Sequence, residues 1–267
     1  MYFDLDNMNI EIKSKRHFST GMIFTYNGQD YYYKGHNSLD NMYNEILAKQ
    51  IADRLNVDCC EYYLGSYIEG LGSISKMFSK DNYLSMSELL LSNYGITKNK
   101  NNLKNINAMF DRRFSKEVAE RLKEELLDIF LFDVLIGNCD RNTDNYGLII
   151  DNNPRFAPLF DNENMLSDYA IYSGSYTLGI DEYDTEDENI LYKLLDDNEE
   201  AKYKLKMMLP VISEDSLEEI FKELESIYVI NPYIKEKVLD RFSINRDMIT
   251  ERLSNKVKRI DRRRLNG

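Results

Sequence analysis

Histidine is nearly missing from this chain. Only His17 and His36 occur among 267 residues, which leaves no material for a His-based metal centre and almost none for a Ser-His-Asp triad. Cysteine is as scarce. Cys59 and Cys60 are adjacent, Cys139 is remote, and no CxxC occurs, so neither a disulfide framework nor a zinc site is expected. With 4 Pro and 12 Gly against 43% hydrophobic residues, the composition contains no long disordered tract. No apolar run approaches the ~18 residues that cross a bilayer, and the start MYFDLDNMNIEIKSKRH lacks the apolar core of a signal peptide. A reducing cytoplasm is the expected setting. Basic residues are in the minority, 34 against 46 acidic, for a net charge of −12. Such a chain has no general attraction to nucleic acid or anionic lipid. We therefore expect no direct nucleic-acid partner and no membrane, while a basic protein partner is electrostatically favoured.

What is present divides into two regions. Residues 1–34 read as β, with runs Met22–Tyr26 and Tyr31–Lys34 flanking Asn27-Gly28, a strong two-residue hairpin signal. The stretch SLDNMYNEILAKQIADRLNV is helical, since Ile46, Leu47, Ile51 and Leu55 keep the helical period. DCCEYYLGSYIEGLGSISKMFS predicts a second hairpin, turned at Glu69-Gly70 or within Gly70–Gly72. After residue 80 the character becomes helical. YLSMSELLLSNYG predicts a short helix, TKNKNNLKNINAM (97–109) a loop, and SKEVAERLKEELLDIFLFDVLIGN the strongest helix, N-capped by Ser115. A short β run YGLII and the segment RFAPLFD follow, then helices over 189–208, 214–228, 231–241 and 246–262. The expected architecture is α+β and two-lobed: a small β-rich lobe with one helix over 1–78, and a larger helical lobe over 79–267. A cleft between such lobes is a usual ligand site.

Between the strongest helix and the β run lies IGNCDRNTDNYGLII (136–150), dense in Asp and Asn. Asp140 and Asn145 are five residues apart, and Asp161 follows in APLFDNEN beyond a hairpin that returns it toward Asn145. An Asn oxygen with an Asp carboxylate is a ligand set that Mg²⁺ takes, its other positions left for water and phosphate. Asp140 is then free to orient an attacking hydroxyl and accept its proton. In the small lobe, Lys34 ends a strand and Glu45 lies on the next helix, the pairing by which kinases hold a lysine against nucleotide phosphates. The loop SKRHFSTG would cover the phosphates, but it carries one glycine, Gly21, and no GxGxxG. Plain turns also gather Asp, Asn and Gly, so the weight rests on the order and spacing of the three motifs together. Arg141 reads as a loop-bracing ion pair, Asp144 and Asp133 as solvated or structural residues, with Asp133 placed on the helix face where it can anchor the motif. The tyrosine runs YYYK and EYY, and NPYI, read as strand and core aromatics.

DRNTDNYGLI…APLFDNENML, YNEILAKQIADRLNV and GSISKMF resemble the corresponding segments of the HipA-like kinases, including the compact CtkA-type members. The resemblance touches both regions from about residue 20 to 167. It implies an atypical two-lobed serine/threonine kinase with ATP and Mg²⁺ between the lobes and a protein Ser or Thr as acceptor. By motif, Asp140 would be catalytic, Asn145 and Asp161 would hold metal, and Lys34 would hold phosphate. The segment 75–78, with Lys76, Met77 and Phe78, would meet adenine through its backbone. Autophosphorylation at Ser14, Ser19 or Thr20 and control by an antitoxin-like partner are further implications. Two departures stand out. The family's His after Asp-Arg is Asn142, which cannot titrate near pH 7, and the Gly closing the family's FDNG is Glu163, an added carboxylate beside Asp161. The alternatives left open are a nucleotide-binding pseudokinase, a toxin-type interaction module, and a kinase acting on a lipid or small molecule.

Overall fold

The computed structural model describes residues 1–15, 21–36, 38–68, 70–78, 82–94, 103–138, 140–166 and 198–264, with side chains described to residue 254. Several expectations lie outside these residues: most of the SKRHFSTG loop, with His17, Ser19 and Thr20; Cys139; and the first part, to residue 197, of the helix expected over 189–208.

The first part of the chain builds a six-stranded sheet from β1 (Tyr2–Asp4), β2 (Glu11–Lys15), β3 (Gly21–Tyr26), β4 (Gln29–Gly35), β5 (Tyr62–Tyr67) and β6 (Gly70–Lys76), with α1 (Leu39–Leu55) between β4 and β5. Its order is β1-β5-β6-β4-β3-β2. All pairs are antiparallel except β1 with β5. The Asn27-Gly28 hairpin forms as predicted: Tyr26 pairs with Gln29, and both turn residues take positive φ, 50° and 77°. The second hairpin turns one step earlier than expected. Tyr67 pairs with Gly70, so Ile68 and residue 69 make the connection. Ile68 accepts a left-handed φ of 48°, and its N–H is held by Asp6 at 2.8 Å.

Strand alternation sorts the tyrosine-rich runs. Tyr31 and Tyr33 join Phe3, Phe24, Tyr63 and Tyr67 in an aromatic layer on one face. Tyr32 and Lys34, one residue out of phase, face the opposite side. Tyr33 is 1% exposed. The third run differs, since Tyr233 of NPYI is 67% exposed.

The remainder is mainly helical: β7 (Tyr83–Ser85), α2 (Met86–Tyr94), α3 (Leu103–Arg113), α4 (Lys116–Leu135), β8 (Gly147–Ile149), β9 (Arg155–Phe156), α5 (Glu199–Met208), α6 (Glu214–Glu225) and α7 (Pro232–Arg264). Ser115 caps α4 by accepting from the Val118 N–H. A three-stranded sheet β7-β8-β9 interrupts the helices. It begins at Tyr83, inside a stretch expected to be wholly helical.

Two more expectations need correction. The Asn-rich stretch read as a loop contains α3 from residue 103, because Ile106, Met109 and Phe110 bury one helical face. The two helices expected over 231–241 and 246–262 are one helix, α7. Asn245 lies in the expected gap between them. Asn245 is fully buried, and its amide donates to the carbonyls of Val134 (3.1 Å) and Leu135 (2.9 Å). It therefore satisfies backbone acceptors at the C-terminal end of α4, which have no partner within their own helix. The main core joins α1 and Tyr62 and Leu64 of β5 to the helices.

Gly147 closes the DRNTDNYG motif where β8 presses on β7. A Cβ there would lie 2.2 Å from the Leu84 carbonyl oxygen, backbone that cannot yield without moving the strand. We expect Gly147→Ala to destabilise the protein by about 1–3 kcal/mol, read as a lower urea midpoint. An unchanged midpoint would show that the two strands can part.

Candidate active site

A cavity of about 440 Å³ opens beneath the first sheet, lined by Gly21, Lys34 and Glu45 on one side, Lys76, Met77 and Phe78 behind, and Tyr83, Asp144 and Asp161 below. Ser14 also lines it. The structure thus gathers most of the residues singled out by motif. Asp140 and Asn145 are not part of this lining, but they are tied to the loop that carries Asp161.

That tie is Arg141, fully buried. Its Nε and Nη2 donate to the two oxygens of Asp133 on α4, at 2.9 and 3.0 Å. Nη1 donates to the Asn145 carbonyl at 3.1 Å and to the Phe160 carbonyl, and Nη2 also to the Asn162 side chain. Burial alone would lower the Arg141 pKa, but Asp133 more than offsets this and holds the guanidinium charged. Asn138 adds a 2.9 Å bond to Asp133.

Asp140 accepts from Asn164 at 3.2 Å and, more loosely, from Asn142 at 3.5 Å. Asn142 Oδ1 accepts the Asp144 N–H at 3.0 Å. Asn145 donates through Nδ2 to the Asp140 carbonyl at 3.1 Å, which leaves its Oδ1 as the end available to a cation. Asp161 sits at φ 60°, and its N–H donates to the Tyr62 hydroxyl at 3.2 Å.

Lys34 does not behave as expected. Its Nζ meets Asp161 Oδ1 at 2.5 Å and Glu163 Oε2 at 3.1 Å, while no ion pair joins it to Glu45 among the described residues. Burial would lower the Lys34 pKa, but Asp161 first, then Glu163 and Glu45, hold it above its ordinary value. Glu45, 1% exposed, accepts the Asn162 N–H at 2.8 Å and the Tyr62 hydroxyl. Desolvation pushes its carboxyl up to about 7, and Asp161 adds to the rise. The neighbouring Asn44 donates to the carbonyls of Glu163 and Met165, both at 2.8 Å. The NE pair of α1 therefore grips the 161–166 loop rather than the lysine.

The hinge expectation also narrows. Met77 donates its N–H to the Asp30 carbonyl (2.9 Å) and accepts from Gln29 (3.1 Å). Lys76 donates its N–H to Glu61. Alternation along the strand leaves the Lys76 carbonyl and the Phe78 N–H for a ligand edge. Phe78, Tyr83 and Phe160 form an aromatic cluster with centroids 5.3–6.3 Å apart. The Tyr83 hydroxyl is buried without a hydrogen-bond partner among the described residues. A flat, partly polar ligand fits such a wall, with Lys34 at the charged end. Asn145 and Asp161 fit a hard cation by donor type, two oxygens with room for water and phosphate oxygens. No group of three or more His, Cys, Asp or Glu that could hold a metal occurs among the described residues.

Sequence reasoning missed Asn44, Asn162, Asn164, Tyr62, Tyr83 and His36. The first two adjoin residues it did select. The others act across the fold and carry no local signal.

No family model matches the sequence, and no curated protein matches it. Solved structures do. The Helicobacter pylori proinflammatory kinase CtkA superposes with a TM-score of 0.73 at 18% identity, covering 97% of this chain and 99% of its own. HipA, from a Shewanella oneidensis toxin–antitoxin complex with HipB and operator DNA, superposes with a TM-score of 0.56 at 14% identity, covering 92% of this chain and 62% of HipA. The chain has the HipA-like kinase fold. Within that fold Lys34 and Asp161, 127 residues apart, meet on one wall of the cleft. Among the described residues no helix is long and apolar enough to cross a membrane.

Two outcomes follow. Asp133→Ala strands the Arg141 charge in the interior and should cost about 3–5 kcal/mol in denaturant unfolding; a cost below about 1 kcal/mol, the usual worth of an exposed pair, would mean that water reaches the guanidinium. Glu45 has its pKa raised in the fold, so its contribution to stability is complete below about 4.5, the unfolded value, and is lost as pH rises through about 7. In metal-free protein, Glu45→Gln should flatten that part of the stability–pH curve. An unaltered slope between those values would assign the titration elsewhere.

Proposed function

We propose that this protein is an ATP- and Mg²⁺-dependent kinase that transfers the γ-phosphoryl group to a Ser or Thr hydroxyl of a protein. The observation that carries this reading is the contact of Lys34 with Asp161 at the cleft wall, 2.5 Å, beside a cavity whose aromatic wall retains an unpaired hydroxyl. Asn145 and Asp161 would hold the cation, which would neutralise charge on the phosphates. Lys34 binds phosphate oxygens, the Lys76 carbonyl and Phe78 N–H meet the base, and Asp140 orients the acceptor hydroxyl and takes its proton. Gly21 lines the cavity beside Lys34. Catalysis of this kind is positioning and charge compensation.

Two partners suit the surface and setting: the acceptor protein, and a basic, antitoxin-like protein drawn by the net charge of −12. A cytoplasmic location is part of the same reading. One observation favours a second reading, a pseudokinase that binds nucleotide without efficient transfer: Asn142 stands where the family has His. Its bonds to Asp140 and to the Asp144 N–H are bracing contacts, which favour the active form.

Purified protein incubated with ATP and Mg²⁺ should gain phosphoryl mass on itself or on an added protein acceptor. Asp140→Ala and Asp161→Ala should each lower the rate at least about a hundredfold while keeping a cooperative melt. Full transfer by either variant would sink the assignment. ATP-induced stabilisation with no transfer to any acceptor would establish the pseudokinase.

A further inference from the structure

Lys34 is held by two carboxylates, and they are not equivalent. Asp161 is the one assigned to the cation, so it cannot be reserved for the lysine. Glu45, the helix residue expected to hold Lys34, is committed to the Asn162 N–H and the Tyr62 hydroxyl. Glu163 remains. Its Oε2 lies 3.1 Å from Lys34 Nζ and 3.1 Å from His36 Nδ1.

The histidine is placed to fix that carboxylate. His36 is one residue past the end of β4, and its side chain is 2% exposed. A carboxylate only accepts, so Nδ1 carries the proton toward Glu163. In the neutral ring Nε2 is then the acceptor for Ser73 Oγ, 2.7 Å away. Ser73, 2% exposed, lies opposite Lys34 across the β4–β6 ladder. Lys34 and Ser73 thus stand on adjoining strands of one sheet with His36 just past the end of β4, while Glu163 arrives from the loop held by Asn44.

We infer that Glu163, braced by His36 and Ser73, is the positioning residue that keeps Lys34 aimed at the nucleotide phosphates, a task the fold would otherwise give to Glu45. The inference rests on the kinase reading above for its purpose, but not for its geometry. It explains two features that the motif alone does not: an acidic residue where the resemblance leads one to expect glycine, and one of only two histidines buried beside it.

The test separates the geometry from the activity. Lys34 is labelled in nucleotide-free protein with a water-soluble amine-acylating ester and quantified by peptide mass spectrometry. In the Asp161→Asn background Glu163 is the remaining ion-pair partner, and Lys34 should stay protected. Adding Glu163→Gln releases the amine from its remaining partner and should raise its acylation about tenfold. Adding His36→Ala should raise it in the same direction, and His36→Asn, whose Nδ2 takes the place of Nδ1, should restore protection. If Asp161→Asn alone exposes Lys34 as fully as the double variant, the inference is overturned, whatever the activity. Kinetics then read the purpose. Glu163→Gln alone should raise KM for ATP about tenfold, with kcat changed less. An unchanged KM in an active enzyme would overturn the positioning role, whereas a wild type that transfers nothing, with the acylation pattern intact, would refute the kinase reading and leave the clasp standing.

Discussion

The Arg141–Asp133 pair is the constraint on which the arrangement of the site depends. A guanidinium has five N–H donors in a rigid fork, and here each has an acceptor: two on α4, one on the Asn145 backbone, and two on the segment carrying Asp161. Three pieces of chain, the end of α4, the Asn145 backbone and the segment 160–162, are thereby set in register around one buried charge. An apolar side chain of similar volume could fill the space and in general stabilise as well. It could not direct five bonds. What the pair supplies is geometry, and the orientation of Asn145 and Asp161 is its product.

Helix α1 makes the second connection. Asn44 and Glu45 hold the backbone of the 161–166 loop from above. From the same helix the Tyr43 hydroxyl donates to the Val229 carbonyl at 2.8 Å, and Asp40 pairs with Lys237. Tyr228, in turn, donates to the Met1 carbonyl at 2.7 Å. The helix is therefore anchored to the Asp161 loop and to the C-terminal helices at once. Any rocking of the sheet over the cleft has to work against these bonds.

Much of this was legible from sequence because it is written in short-range patterns. Asn27-Gly28, the capping Ser115, the YYYK alternation that turns Lys34 away from the aromatic layer, and the paired DRNTDN and LFDNEN motifs all act within a few residues. The bracing role of Arg141 and the structural role of Asp133 were each legible, but that they pair, eight residues apart across a helix end, was not. What stayed hidden depends on distant neighbours. The continuity of α7 through 242–245 becomes clear only when buried Asn245 is seen to bond the end of α4. Glu45 looks like the partner of Lys34 until Asn162 and Tyr62 are seen to occupy it. The Asn-rich segment looks like a loop until the partners of Ile106 and Phe110 are in place. In each case a polar residue was read by local propensity, while tertiary contacts determined its use.

The same distinction bears on the site's two departures from its fold relatives' motif. A histidine in the catalytic loop could serve as a proton carrier or as a brace. Asn142 can only brace, and it does so through Asp140 and the Asp144 N–H. His36, by contrast, lies on the sheet side of the cleft, bound to Glu163 and Ser73, where no acceptor hydroxyl needs a base. On the proposed reading the His36 imidazole serves charge placement, and proton acceptance is left to Asp140. Transfer of a phosphoryl group asks little more of the protein than that: a lysine that does not wander, oxygens for a cation, and a carboxylate near the incoming hydroxyl. By that standard, replacing one histidine costs the loop a titrating group without removing any element the reaction requires.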